Sequence, residues 1–165
     1  MSNINGLLNS IKSVLQNVSG SIGRVRIHPQ RTITQESFES IFQIHLNEKR
    51  PVNAWVIKLD GISNSTIGAT LNSYWRDYGI TITGFMSFND SSDNDLMNLA
   101  EDILNSFGPK KTLGITDVPA TGEPVLFDSN TSLTEFDHGM LGPVLCSTVS
   151  FKVTAREWKG IISFV

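Results

Sequence analysis

The chain of 165 residues sets 13 Lys and Arg against 16 Asp and Glu, a formal charge of −3, with 39% hydrophobic and 18% charged residues. That length suits one domain, since about 150 residues bury roughly 68–70% of their unfolded surface. The balance is not that of a disordered chain and supplies no basic stripe for a general hold on nucleic acid or anionic membrane. One cysteine, Cys146, excludes an intrachain disulfide and a four-thiolate zinc site and fits a reducing compartment. No run approaches about 18 consecutive apolar residues, so no membrane span is expected. The N-terminus lacks the basic leader and continuous apolar run of a signal peptide, so the triplets at Asn17, Asn64 and Asn130 are not expected to carry glycans.

Ile4, Leu7, Leu8, Ile11, Val14, Leu15 and Val18 recur at helical spacing and predict an amphipathic helix from about Asn3 to Val18, broken by the following "SGSIG". In "RVRIHP" alternation places Arg24, Arg26 and His28 on one face of a strand and Val25 and Ile27 on the other. Thr34 is the expected N-cap of a short helix carrying Phe38, Ile41, Phe42 and His45. "VNAWVIKLDGI" predicts a central strand, with Val52, Ala54, Val56 and Lys58 opposite Trp55, Ile57 and Leu59. The segment "SNSTIGATLNSYWRDYG" is polar and punctuated by glycine, which suggests a hairpin or long flap leading into a strand.

"ITITGFMSFND" alternates as a strand with Ile80, Ile82, Met86 and Phe88 on its core side, Gly84 marking a bulge or a close approach. A helix with the stripe Leu96, Leu99, Ala100, Ile103, Leu104 and Phe107 follows and should stop at Gly108 and Pro109. Short strands between turns fill the region to about residue 143, and "PVLCSTVSFKVTAREW" predicts a long final strand. The fold class expected is α/β (α+β): a twisted, mostly antiparallel sheet flanked by two to three helices. It forms one domain over 1–165, with a helix at 1–20, a core over 24–165 and flaps near 61–78 and 117–143.

The acidic crossing between the "ITITGFMSFND" strand and its helix offers Asp90, Asp93 and Asp95 as candidate ligands of a cation. Counted from Asp90, Glu101 falls twelfth, but Asp95 stands where a calcium loop needs glycine. A helix cap built on Ser92 and Asp95, with Asp93 and Asp95 at the positive helix end, accounts for more. "GPKKT" lacks the earlier glycine of a phosphate loop and follows a helix instead of opening one. Glu135, Asp137 and His138 could serve acid–base chemistry if a cleft perturbed them, a solvated turn being the plainer reading. Cys146 reads as an inert buried thiol. No metal, cofactor or catalytic residue is expected. Arg24, Arg26 and Arg31 form a basic cluster, with a solvated strand face as its plain alternative.

The order helix, strand, short helix, strand, flap, then "YGITITGFMSFNDSSDNDLMNLAEDILNSFG" and "VSFKVTAREW" resembles the tail-terminator (tail-completion) proteins of long-tailed bacteriophages, from about Val52 onward. The resemblance rests on the strand "ITGFMSFND" running into a helix with the pattern "LAEDILNSF", beside "VNAWVIKLDG" and "PVLCSTVSFKVTAREW". It implies a non-enzymatic homo-oligomer, typically a hexameric ring, at the tail–neck junction of the virion, assembled in the host cytoplasm. Such a ring caps the tail tube protein, stops polymerisation and offers a surface to a neck or head-completion protein, while DNA passes through its lumen without specific binding. Tyr74, Trp75 and Tyr78 are the expected subunit or tube anchors, with Arg24 and Arg26 next. Another neck or head–tail joining protein, or a small cytosolic enzyme, are the alternative readings.

Overall fold

A computed structural model describes residues 4–18, 22–28, 34–43, 46, 51–66, 73–89, 91–107, 112–113, 125–127 and 132–160. Side chains at 65–66, 73–75, 112–113, 125–127 and 157–160 are left out of that description. The described elements run α1 (Ile4–Gln16), β1 (Arg24–Ile27), α2 (Gln35–Phe42), β2 (Asn53–Thr66), β3 (Ser73–Ser87), α3 (Ser92–Ser106), β4 (Thr112–Leu113), β5 (Val125–Phe127), β6 (Ser132–Leu141) and β7 (Val144–Gly160). They build the expected α+β fold, a seven-stranded sheet in the order β1-β2-β3-β7-β5-β4, with β6 also against β7. Only β1 and β2 pair in parallel; the other pairs are antiparallel.

Both faces of the central strands are covered, which explains the unbroken apolar run Ala54–Ile57 at the start of β2. On one face Trp55 and Ile57 of β2, Ile80 and Ile82 of β3, and Val149 and Phe151 of β7 meet the buried stripes of α1 and α3. On the other, Ala54, Val56 and Cys146 meet Phe38 and Phe42 of α2. There Phe85 presents its ring edge-on to Phe38, with centroids 5.5 Å apart. No helix among the described residues is long and apolar enough to cross a membrane.

Local chemistry sets the ends of the elements. Thr34 caps α2 as expected, its hydroxyl accepting from the Ser37 amide while the Ser37 hydroxyl accepts from the Thr34 amide. At the other end Gln43 adopts φ 53° and closes the last turn onto the Glu39 carbonyl. Arg24 Nη1 donates to the Phe42 carbonyl at 2.5 Å, placing a cation at the negative end of the helix. Between β6 and β7, Gly142 at φ +58° takes the first central position of a two-residue turn.

Gly84 marks a close approach: a Cβ there would sit 2.6 Å from the Trp55 ring. The irregularity in the β2–β3 ladder falls instead between Leu59 and Gly61.

Four expectations need correction. Of the hairpin or long flap expected near 61–78, the hairpin forms and the flap does not, since β2 runs to Thr66 and β3 starts at Ser73, Thr66 pairing with Tyr74. Only 67–72 lie outside the described residues. "TEFDH" is strand β6 rather than a turn, because β7 offers it a ladder from Lys152 to Val144. His28, assigned to the polar face with the arginines, is buried at the end of β1. Phe88, assigned to the core, is 47% exposed, because β3 ends at Ser87 and the chain turns away toward α3.

Two stability tests follow. Gly84→Ala should lower unfolding free energy by about 1–3 kcal/mol through overpacking against Trp55, read from denaturant midpoints; an unchanged midpoint would mean the indole can move aside. Ile103→Ala, at a fully buried position of α3, should cost about 2–5 kcal/mol.

Candidate assembly surface

The sheet ends in open strands. Among the described residues β1 pairs with β2 alone and β6 with β7 alone. From Ser132 to Met140, β6 has no fully buried residue on either face, Phe136 alone being half-buried. Among the described residues the outer edge of such a strand has no strand partner, and another chain can complete it. At its far end lies an apolar row. The Phe88 amide donates to the Leu145 carbonyl at 2.9 Å, and Leu145 stands opposite Met140. Leu145 and Met140 are 43% and 64% exposed, so the row joins β3, β7 and β6 as one apolar strip beside the start of α3.

The acidic crossing is tied to this strip by side chains distant in sequence. Asn89 opens α3: its Oδ1 accepts from the Ser91 amide at 2.9 Å, and its own amide donates to Ser92 Oγ at 3.1 Å. The capping box expected on Ser92 and Asp95 does not form: Ser91 holds the N-cap position without a side-chain bond to a helix amide, and its Oγ donates to Asp95 Oδ2 at 3.1 Å. Ser92 is drawn inward, buried and 3.4 Å from Ser147 Oγ. Asp93 reaches across to the sheet: Ser147 Oγ donates to its Oδ1 at 2.6 Å, and His138 Nε2 lies 3.0 and 3.1 Å from its two oxygens. The His138 ring stands edge-on between Phe88 and Phe136, with centroids 5.5 and 5.7 Å away.

This cluster is a tie between elements rather than a nucleophile relay. Activation would need the serine hydroxyl to donate to the histidine, and here it donates to the carboxylate. Glu135 and Asp137 do not join His138, because they stand opposite Ser150 and Thr148 on the α2 face, whereas His138 stands opposite Ser147 on the α1–α3 face. The Cys146 thiol is pushed up to about 11 by burial, so it stays protonated. Among the described residues no group of three His, Cys, Asp or Glu could hold a metal ion; Asp90 lies outside them. A cleft of about 420 Å³ opens between the ends of β2 and β3 and α3, walled by Asn53, Met86, Asp95, Asn98 and Asp102.

The sequence-derived anchors fall in different places. Tyr78 is 3% exposed and belongs to the core on the α1–α3 face, where strand alternation sets it in line with Ile80 and Ile82. It is therefore not an exposed anchor of the single chain. Tyr74 and Trp75 continue β3 opposite Thr66 and Ser65, and their side chains lie outside the described part. The extension is fastened by Arg156, whose Nε and Nη2 donate to Asp77 at 2.7 and 3.1 Å. Arg24 and Arg26 are exposed on the α2 face of β1. The Phe88–Leu145–Met140 row was missed in sequence, although a hairpin closed by Gly142 and Pro143 pairs Met140 with Leu145 and could have disclosed it.

No protein-family model matches this chain, and no curated protein matches its sequence.

The Asp93 carboxyl is held below its ordinary value of 3.8, chiefly by the Ser147 hydroxyl, with desolvation opposing and His138 assisting. A carboxylate depressed in the fold stabilises above its unfolded pKa, and that contribution fades as pH falls from near 3.8 through the lower folded value. The melting temperature should therefore drop over that acid range in the wild type and drop less in Asp93→Asn. Parallel curves would show that the tie does not couple to folding.

Proposed function

We propose that this chain is a structural tail terminator of a long-tailed bacteriophage. In this reading six copies close into a ring at the tail–neck junction, cap the tail tube protein, stop its polymerisation and present a joining surface to the head-side neck. The DNA passes through the lumen without specific contacts, and the subunit performs no catalysis.

The observation that carries the reading is the state of the sheet's margins. Among the described residues, strands β1 and β6, each paired on one side alone, flank a firmly packed centre, as a part that assembles through its edges requires. The order α1-β1-α2-β2-β3-α3 followed by a long final strand is also the order on which the resemblance to tail terminators rests. The paired β2–β3 extension and the exposed Phe88–Leu145–Met140 row supply further surface for a tube or neck partner.

Negative-stain electron microscopy of the purified chain should give rings. Infection by the parent phage with this gene disrupted should give tubes of uncontrolled length and heads without tails. A monomeric chain, or tubes of normal length in its absence, would overturn the reading; rings with normal tubes and unattached heads would favour a neck-joining protein instead.

A further inference from the structure

We propose that copies of this chain join head to tail by adding β1 of one subunit to the open edge of β6 of the next, in one definite register. This deepens the ring reading and rests on it only for closure of the ring.

Strand direction permits the joint. β1 runs with β2, β2 against β3, β3 against β7, and β7 against β6, so β1 and β6 point in opposite directions. A neighbour related by rotation about an axis along the strands would thus lay its β1 antiparallel to β6, continuing the sheet with like faces aligned.

Backbone polarity halves the possible registers, and charge then selects one of them. The His28 amide donates to the Ile57 carbonyl, so even-numbered residues of β1 turn their backbone groups toward β2, while Val25 and Ile27 turn theirs outward. The bond from Phe88 to Leu145 turns Leu145 toward β3, and alternation then turns Cys146, Thr148 and Ser150 toward their partners Gly139, Asp137 and Glu135 on β6. Phe136 is left facing outward. Val25 and Phe136 can therefore exchange both backbone hydrogen bonds as directly opposed residues.

Side chains agree with that register without adjustment. With Val25 opposite Phe136, Arg24 falls opposite Asp137 and Arg26 opposite Glu135, at non-hydrogen-bonded positions, where side chains approach most closely. All four charged residues lie on the α2 face: the arginines share it with Ala54 and Val56, the carboxylates stand opposite Thr148 and Ser150 in line with Cys146. Val25 and Phe136 meet on the α1–α3 face, where both pack against the main core. A twofold joint of β6 with another β6 would instead crowd Glu135 and Asp137 against like charges. Arg24 commits one donor to Phe42 and retains the remaining fork of its guanidinium. Asp137 Oδ1 accepts from the His138 amide at 2.7 Å, and in this register its carboxylate would meet the arginine through its second oxygen.

The test is charge reversal read by native mass spectrometry and sedimentation. The pair Arg24→Glu with Arg26→Glu, and the pair Glu135→Arg with Asp137→Arg, should each lower the ring fraction at least about tenfold, because like charges oppose across the joint. Mixing the two variants should restore rings, since each edge then meets its opposite charge in alternating subunits. Because Arg24 also holds the end of α2, the single reversals Arg26→Glu and Glu135→Arg, separately and mixed, repeat the test with α2 intact. Oxidation of a chain carrying Arg26→Cys and Glu135→Cys should give a covalent ladder ending at ring size. Rings that survive reversal, or folded variants whose mixture stays monomeric, would overturn this register and leave the ring reading standing. A wild-type chain that is itself monomeric would overturn both.

Discussion

The indole of Trp55 crosses β3 where Gly84 provides no side chain, and the rest of the sheet is arranged around that contact. Trp55 is fully buried and stacks on Phe151 of β7 at 6.4 Å, so a single ring spans β2, β3 and β7. Burying a large aromatic side chain against a glycine fixes the relative height of the strands, since a slip of one residue would bring a Cβ against the ring and send Ile80 and Ile82 to the wrong face. α1 and α3 then close over this layer, and α2 closes over the opposite one.

A centre covered on both faces leaves the margins to carry the interactions. β6 is held by its ladder to β7, by the packing of Phe136 on the core and by the tie from Asp93 to His138 and Ser147. That tie joins the start of α3 to both strands of the hairpin, so the edge strand is positioned by the same helix that covers the core. At the other margin Arg24 joins β1 to the last carbonyl of α2. Each margin is thus oriented by a charged side chain acting on a helix end, which is how a short, thinly packed strand keeps one geometry for a neighbour to meet.

The same acidic and basic residues take different meanings once placed in the fold. Glu135, Asp137 and His138 are adjacent in sequence and suggested a chemical cluster, but a strand sends alternate residues to opposite faces and divides them. Arg24 and Arg26, two residues apart, stay together on one face for the same reason. The alternation that disperses the first group concentrates the second, and it aligns both with the margins of a single sheet face.

Much of this arrangement was legible in the residues themselves. The stripes of α1 and α3, the Thr34 cap, the two-sided burial of β2 and the alternation of β3 all follow from local periodicity and capping chemistry, which act over a few residues. The placing of Phe88, Tyr78, His28 and Asp93 did not follow. Phe88 lost its core position where β3 ended, Tyr78 gained one because its face of β3 is covered by the same core as Ile80 and Ile82, and Asp93 found partners 45 and 54 positions away. Periodicity reports which residues share a face of one element. Which face is covered, where a ladder stops and which distant side chain completes a carboxylate depend on neighbouring elements, and only tertiary packing brings those into contact.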